Sequence, residues 1–303
     1  MVTRPAPLAP GARVALLAPA GPVTPDEVER AVERVAGWGW EPVLGTYARG
    51  RLGYLAESDE NRLADLNDAI RHPDIEAVWC LRGGYGTLRI VDRVDWKAWT
   101  ERPRPLIGFS DNTVLHLASL RYGVGSYHGP HPTPADLPPF TESLLLATLR
   151  GKGPRLLPFP PGGPDRAREL VPGVAEGRLV GGNLSLIAAT LGTPFQPELR
   201  GAILFLEEVG EPPYRIDRLL TQLRLAGALE RVAGVALGAF SQCGEEDELV
   251  VAGVLADRFE ELGVPAAYGF PFGHVAENWT LPVGAAARLD VGAGTLEILA
   301  PEP

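Results

Sequence analysis

Ser110 stands where the sequence predicts the end of a strand and the start of a helix. The apolar run 105–109 stops at Ser110-Asp111-Asn112, and a helix-like pattern of apolar residues follows at once. A corner of this kind lifts a side chain out of the sheet and directs helix N–H groups toward whatever binds there, which suits a nucleophile. The segment GFSDN lacks the second glycine of the G-x-S-x-G elbow. The alternative is that Ser110 or Asp111 caps the helix, and on this segment alone we favour that alternative.

A nucleophilic serine requires a base, and the chain has five histidines. His72 precedes a proline at a helix end and is expected at the surface, whereas His116 lies within the helix after the serine. His128 and His131 fall in the loop YHGPH, where metal binding is the alternative to a structural role. No carboxylate lies at a recognisable ligand spacing, so we favour the structural role. His274 lies in a loop rich in glycine, proline and aromatic residues, and such loops often carry site residues.

An acid that orients the base should end a strand, and AILFLEE offers Glu207 and Glu208 at such an end. Because side chains alternate along a strand, one of two adjacent acids should point inward. The alternative is a pair of solvated acids that begin a loop. On the strand alone that alternative is favoured.

The segment LRGGYGTLR, residues 81–89, follows a predicted strand and precedes a predicted helix start. Its glycines permit close approach of a ligand to the backbone. It lacks the third glycine of a dinucleotide fingerprint, and no Walker A lysine motif occurs in the chain. Cys80 is a conceivable nucleophile but belongs to the buried strand. Cys80 and Cys243 show no metal spacing, so we expect both to be reduced and buried.

The elements that must position these residues alternate between strands and helices in the first half of the chain. TPDEVERAVERVAGWG has a threonine cap, a proline at the first helical position and one apolar face. IEAVWCL is a continuous apolar run, typical of a parallel strand that is buried on both faces. The pattern predicts a doubly wound, flavodoxin- or Rossmann-like α/β domain over residues 1–150. A Pro/Gly-rich linker over 151–172 and a smaller, mixed β/α domain over 173–303 are predicted to follow.

Composition excludes several classes of protein. The formal net charge is −10, and no basic stripe occurs in the 303 residues, so we expect no nucleic-acid partner. No apolar run reaches about 18 residues, so we expect no membrane span. The N-terminal segment predicts a first strand rather than a signal peptide, which favours a cytoplasmic location.

Five segments together resemble the serine LD-carboxypeptidases, a family that includes the microcin C immunity peptidases. In order along residues 12–298, they are DENRLADLNDAIRHPDIEAVWCLRGGYG, LIGFSDNT, GRLVGGNLSLIAATLGTP, ILFLEEVGEPPYRIDRLLTQL and GFPFGHVAENWTLPVG. The resemblance implies a Ser-Glu-His triad of Ser110, Glu207 and His274. Many relatives have Glu-Asp where this chain has two glutamates, so the match favours the first acid. The implied oxyanion donors are the backbone N–H groups of Gly84 and Asp111.

The resemblance also implies a function. The family removes terminal D-alanine from murein tetrapeptides during cytoplasmic cell-wall recycling, at a bond after the L-centre of a diamino acid. A small peptide is therefore the expected substrate, no metal or organic cofactor is expected, and a homodimer is a further expectation. Arg82 is a candidate for the substrate carboxylate, with a structural salt bridge as the alternative. Gly83 and Tyr85 are candidates in the same loop.

Two other functions remain open at this stage. The closer one is a microcin C immunity-type peptidase or amidase that uses the same triad. The more distant one is a non-catalytic binding protein for small molecules, built from two α/β lobes. Such a protein would keep the glycine loops without needing a serine, a glutamate and a histidine together.

Overall fold

A computed structural model of the chain describes residues 2–244 and 248–299. The described residues form two compact units. One contains the residues up to Gly153 together with Thr280–Pro282, and the other contains Pro154–Trp279 with the residues from Val283 onward. The short return of the chain to the first unit at Thr280–Pro282 was not anticipated from the sequence.

The first unit is built on a six-stranded sheet whose strands, numbered along the chain, stand in the order β11-β5-β4-β3-β1-β2. The strands from β2 to β5 pair in parallel. Their order, 2-1-3-4-5, is that of a flavodoxin-like sheet, in which ligands bind at the carboxyl ends beside the point where the order reverses. That point lies between β1 and β3. The strands are β1 (Arg13–Leu17), β2 (Glu41–Leu44), β3 (Ile75–Cys80), β4 (Leu106–Gly108), β5 (Ser126–His128) and β11 (Leu281–Val283).

The first helix of this unit begins where its capping residues predict. Helix α1 starts at Pro25 behind Thr24, whose hydroxyl accepts the Glu27 N–H while the Glu27 carboxylate accepts the Thr24 N–H. This reciprocal capping satisfies two N–H groups that the helix leaves unpaired. The α-helices are α1 (Pro25–Gly37), α2 (Asp59–Arg71), α3 (Trp96–Glu101), α4 (Thr113–Arg121) and α5 (Pro139–Leu149), and the 3₁₀ turns are Thr87–Arg89, Val91–Arg93 and Ser110–Asn112.

The core of the first unit is formed by apolar residues of the central strands and of α1. Leu16, Trp79 and Ile107, from β1, β3 and β4, are fully buried in one cluster with Val28 of α1. Burial of a side chain of this size contributes about 1.5–3 kcal/mol. The central strands are thereby fixed in the core, and the loops at their carboxyl ends begin directly from it.

The second unit is built on a seven-stranded mixed sheet in the order β13-β12-β7-β8-β9-β10-β6. The strands from β7 to β10 are parallel, whereas β6, β12 and β13 pair antiparallel at the two sides. The expected fold class, a parallel α/β unit followed by a mixed β/α unit, is confirmed. The strands are β6 (Arg168–Val171), β7 (Val174–Asn183), β8 (Ala202–Val209), β9 (Gly234–Ser241), β10 (Ala266–Tyr268), β12 (Ala286–Asp290) and β13 (Thr295–Ile298).

The described part of this unit also contains three helices, α6 (Leu184–Ala189), α7 (Pro213–Leu225) and α8 (Glu248–Leu262). Strand β6 lies at the end of the segment predicted to be a linker, where it forms the edge of the sheet. Strand β8 is central in the sheet, and its residues 202–208 are all buried, as is typical of a parallel strand covered on both faces. Over residues 2–244 and 248–299, no helix combines the length and apolar character that crossing a membrane requires.

Candidate functional site

Ser110 occupies a strained corner directly after β4. It opens the 3₁₀ turn that leads into α4, and its φ is 62°, in the left-handed region that residues other than glycine rarely adopt. The residue at the N-cap of α4 is Asn112, without a side-chain cap. The interpretation of Ser110 or Asp111 as the helix cap is therefore wrong. Strain of this kind clusters at functional sites, where the surrounding structure maintains it.

The glycine loop after β3 lies against this corner. A Cβ atom on Gly83 would stand 2.7 Å from Ser110 Cβ and 2.8 Å from Ser110 Oγ, so a larger residue would displace the serine. On its other side the loop is fixed by Gly21, whose N–H donates to the Gly83 carbonyl at 2.9 Å. Gly84 follows with a φ of 103° and is exposed. The loop, the corner and Gly21 thus meet at the carboxyl ends of β1, β3 and β4.

Glu207 and His274 are joined in the second unit, although they lie 67 residues apart. His274 Nδ1 is 2.7 Å from Glu207 Oε2, and the glutamate side chain is 0% exposed. Because an ionised carboxylate only accepts hydrogen bonds, Nδ1 carries the proton and the basic lone pair lies on Nε2. Burial raises the pKa of the Glu207 carboxyl, and the hydrogen bond with His274 opposes that rise. This tautomer is the one that a histidine acting as a general base requires.

Glu208 does not bond the histidine, although it shares Asn183 with Glu207. Its Oε1 accepts from Asn183 Nδ2 at 2.8 Å, and its Oε2 accepts from the Ser185 N–H at the start of α6, also at 2.8 Å. The interpretation of the two acids as solvated is wrong, since Glu208 is only 2% exposed and Glu207 is fully buried. The two carboxylates share Asn183, but only Glu207 bonds the histidine, and neither carboxylate faces solvent.

The backbone that carries His274 is held by residues that sequence reasoning missed. The Asn278 side chain accepts from the Gly273 N–H at 3.2 Å and donates to the Gly273 carbonyl at 2.8 Å. Ser241 Oγ donates to the His274 carbonyl at 2.8 Å. A Cβ on Gly273 would stand 2.8 Å from Glu207 Oε2. Contacts between side chains and backbone have no periodicity, and the only available signal was the position of Asn278 within the segment GFPFGHVAENWTLPVG.

A cavity of about 330 Å³ opens in the second unit beside this histidine. Its wall includes the last residues of β9, Ala239 to Ser241, together with Tyr268 and Val275. Val275 follows His274 in the chain, and Ser241 holds the histidine carbonyl. Space for a small group therefore exists at the carboxyl end of β9, where parallel sheets commonly bind ligands.

The remaining histidines and the cysteines have structural surroundings. His116 is fully buried, and burial lowers its pKa to about 4. His131 Nδ1 donates to the Cys80 carbonyl at 2.9 Å, and His128 is fully buried. His72 terminates α2, where its Nδ1 accepts the Asp74 N–H at 3.1 Å.

Cys80 and Cys243 are both free and buried, as expected. Burial raises the pKa of both thiols, so neither is poised as a nucleophile. Within residues 2–244 and 248–299, no group of three or more histidine, cysteine, aspartate and glutamate residues could hold a metal ion.

Arg82 and Tyr85 flank the two glycines of the loop after β3 and are both exposed. Arg82 Nη1 donates to the Pro22 carbonyl at 3.3 Å, and within the described part of the chain this guanidinium has no carboxylate partner. The structural salt bridge considered for it is therefore not formed there. Tyr85 is 49% exposed, with its ring edge-on to Tyr54 at 5.6 Å. Both side chains remain accessible beside Gly84.

The fold and these side chains define a protein of two α/β units in which a buried glutamate bonds Nδ1 of a partly exposed histidine. Residues 14–129 match the LD-carboxypeptidase N-terminal domain, and residues 176–289 match the LD-carboxypeptidase C-terminal domain. The chain belongs to the LD-carboxypeptidase family. The resemblance stated from the sequence is thereby confirmed, as is the expected class of enzyme, a carboxypeptidase.

Individual proteins extend this comparison. The murein tetrapeptide carboxypeptidase of Pseudomonas aeruginosa is 38% identical over 92% of this chain and 93% of its own. The solved muramoyltetrapeptide carboxypeptidase from Oxalobacter formigenes is 31% identical, with a TM-score of 0.82 over 94% of this chain and 97% of its own. The microcin C7 self-immunity protein MccF superposes with a TM-score of 0.88 over 98% of both chains, but at 24% identity that likeness concerns the fold alone.

Proposed function

We propose that this protein is a serine LD-carboxypeptidase that removes terminal D-alanine from murein tetrapeptides. The observation that carries the proposal is the 2.7 Å hydrogen bond between Glu207 and His274, which sets the tautomer that a base needs. The strained corner of Ser110 beside the glycine loop supports it. The identity to murein tetrapeptide carboxypeptidases supports the choice of substrate. The proposal places the reaction in the cytoplasm, as part of cell-wall recycling, and includes a homodimer.

In the proposed reaction, His274 Nε2 takes the hydroxyl proton of Ser110 as Oγ attacks the scissile carbonyl. Glu207 stabilises the imidazolium that forms. The negative oxygen of the tetrahedral intermediate is bound by the N–H groups of Gly84 and Asp111. The proton then passes to the amine of D-alanine, which leaves, and water hydrolyses the ester on Ser110. The reaction requires neither a metal nor an organic cofactor.

Arg82, Gly83 and Tyr85 are proposed to contact the substrate. The exposed Arg82 guanidinium matches the geometry of a carboxylate, such as that of the terminal D-alanine. Gly83 permits close approach to the loop, and Tyr85 offers an exposed ring at its edge. Their roles are distinguishable from catalysis because Arg82→Ala should raise KM with little change in kcat.

The expected stereochemistry follows from the placement of the oxyanion donors. A site organised around a carbonyl next to an L-centre directs its oxygen toward Gly84 and Asp111. A D-centre would direct its side chain to a different wall and misplace the carbonyl, and small misplacements are costly. We therefore expect cleavage of L-Ala-γ-D-Glu-diamino acid-D-Ala and no cleavage of the D-Ala-D-Ala bond of the pentapeptide.

The test is mass spectrometry of products after incubation with the tetrapeptide, the pentapeptide and an acyl-sulfamoyl adenylate that represents processed microcin C. Ser110→Ala is the matched control. Release of D-alanine from the tetrapeptide alone supports the proposal. Cleavage of the adenylate alone would reject the murein substrate in favour of the microcin-type function. Loss of activity in EDTA with recovery in zinc would reject the serine mechanism. Absence of turnover and of labelling by a serine-reactive phosphonate would favour a binding protein.

A further inference from the structure

The side chain of Asp111 is directed away from its own helix and toward the glycine loop. Its Oδ2 accepts the Thr87 N–H at 2.8 Å, while Thr87 Oγ1 donates to the Asp111 carbonyl at 2.7 Å. Asp111 is 2% exposed and Thr87 is fully buried. The two residues are therefore connected reciprocally, through both the side chain and the backbone of Asp111.

This connection joins the two segments that carry the proposed oxyanion donors. Thr87 lies three residues after Gly84, in the loop that follows β3. Asp111 supplies its own N–H at the corner that follows β4. With Thr87 fixed to Asp111 at two points, the short stretch between Gly84 and Thr87 has little freedom to move relative to the corner.

The same stretch is held from the opposite direction by a buried guanidinium. Arg62 of α2 is 2% exposed, and its Nη1 donates to the Gly86 carbonyl at 3.0 Å and also to the Pro19 carbonyl. Its positive charge also favours the ionised form of the Asp111 carboxyl, whereas burial raises the pKa of that carboxyl. The loop is thus anchored on one side by a carboxylate and on the other by a guanidinium.

Burial of a carboxylate costs free energy unless the carboxylate accepts hydrogen bonds. The start of α4 does not need the Asp111 carboxylate, because that side chain does not cap the helix. The Thr87 N–H provides one such bond to the Asp111 carboxylate and the Gly86 N–H provides another, whereas the Thr87 hydroxyl bonds the Asp111 carbonyl. Bonds to a charged group are about twice as strong as neutral ones. The Asp111 side chain therefore connects the corner to the glycine loop instead of capping α4.

We propose that Asp111 and Thr87 are positioning residues that hold the N–H groups of Gly84 and Asp111 at the spacing an oxyanion needs. This inference rests on the proposed function, in which those two groups bind the intermediate. Loss of an oxyanion donor lowers kcat by about 100- to 1000-fold. Displacement of a donor that stays present should lower kcat less, by about 10- to 100-fold.

The test uses a matched pair of substitutions at Thr87, because loss of the Asp111 carboxylate would endanger folding. Thr87→Val keeps the shape and removes the hydroxyl that donates to Asp111. Thr87→Ser keeps the hydroxyl and removes a buried methyl group. We expect kcat to fall at least about tenfold in the valine variant, with KM within about twofold of wild type, and to be largely retained in the serine variant. If Thr87 had a purely structural role, kcat would fall together with the free energy of unfolding. The serine variant would then lose activity too, because it lacks the buried methyl group.

The second measurement is the rate at which a serine-reactive phosphonate labels Ser110, since the phosphoryl oxygen occupies the oxyanion position. Slow labelling of Thr87→Val beside rapid labelling of Thr87→Ser supports the inference. Wild-type rates of labelling and turnover in Thr87→Val overturn it while leaving the proposed function intact, as does an equal loss in both variants. A wild-type enzyme that is not labelled, or a Ser110→Ala variant that keeps its activity, overturns the proposed function and this inference together.

Discussion

Replacement of Glu207 by glutamine removes one negative charge beside His274 with little change in shape. The carboxylate is fully buried and accepts the Nδ1 proton at 2.7 Å. In the proposed reaction the imidazole becomes positively charged when it takes the proton of Ser110. The glutamate therefore stabilises the transition state more than the resting enzyme, and its loss should lower kcat rather than raise KM.

The size of the loss follows from the contact. Two unit charges about 4 Å apart interact by about 4 kcal/mol at an effective dielectric constant of about 20. Because each 1.36 kcal/mol is about tenfold in rate, this interaction corresponds to about 10³-fold in kcat. An amide would also be able to donate to Nδ1, which would place the proton on Nε2. In chymotrypsin-like enzymes the corresponding change of acid to amide costs about 10⁴-fold. We expect Glu207→Gln to lie between these two values.

Glu208→Gln is the matched control, since it makes the same chemical change at the next residue. Its carboxylate accepts hydrogen bonds from Asn183, Ser185 and Val209, and a glutamine would set its own N–H₂ group against one of these donors. A mismatch of this kind costs about 1–3 kcal/mol in the free energy of unfolding. The change in kcat should stay below about tenfold, because none of these groups bonds the histidine and the variant keeps both Asn183 and Glu207.

The assay is release of D-alanine from the murein tetrapeptide, followed with D-amino acid oxidase over a range of substrate concentrations. Urea denaturation of the same preparations gives the free energies of unfolding. A larger loss of kcat in Glu208→Gln than in Glu207→Gln would refute the reasoning and move the acid to the second position. A loss below about tenfold in Glu207→Gln would show that the buried charge does not act on the imidazolium.

Two further predictions concern the surroundings of the site and the core. Gly273→Ala should lower kcat at least about 100-fold because its Cβ would stand 2.8 Å from Glu207 Oε2. Gly269→Ala is the control, because Gly269 has a similar positive φ but open space where a Cβ would stand. It should lower the free energy of unfolding without lowering kcat, so equal kcat values in the two variants would contradict the prediction. His116 should make the protein less stable in acid: its folded pKa of about 4 lies below the usual value of about 6.5, so the unfolded chain binds the proton first. As the pH falls through that interval, the free energy of unfolding should decrease by about 3 kcal/mol from this residue, and urea denaturation of His116→Gln should lack that component.

The regular elements of the first unit could be predicted because their signals are local. The threonine cap of α1 and the apolar run of β3 are both present as the sequence indicates. The position of Ser110 at a corner could also be predicted, but its left-handed φ could not, since no local signal marks that conformation at a serine. The helix-cap interpretation failed for this reason: a short polar residue before a helix has the same local signal whether or not its side chain caps that helix.

In the second unit, local sequence signals do not predict the partners of the site residues. Glu207 and Glu208 have the same chemistry at the end of the same strand, and only the positions of distant partners separate them. Alternation predicts that one of the two acids points inward, but a central parallel strand is covered on both faces, so both acids are buried. The roles of Asn278 and Ser241 depend on contacts with backbone atoms, which leave no pattern along the chain. The roles of the candidate triad came from the family resemblance, and they remain proposals.

The return of Thr280–Pro282 to the first unit affects whether that unit can be produced as a separate fragment. Strand β11 lies beyond β5 in the first sheet, so a fragment that ended near Gly153 would leave the edge of β5 uncovered. An uncovered edge is a template for pairing with another chain, and such a fragment should aggregate. The two units are not consecutive segments of the chain, because the polypeptide passes from one unit to the other three times, at 153/154, 279/280 and 282/283. A soluble first half would need its sixth strand grafted back, for example by joining residues 280–283 through a new connection to the end of α5.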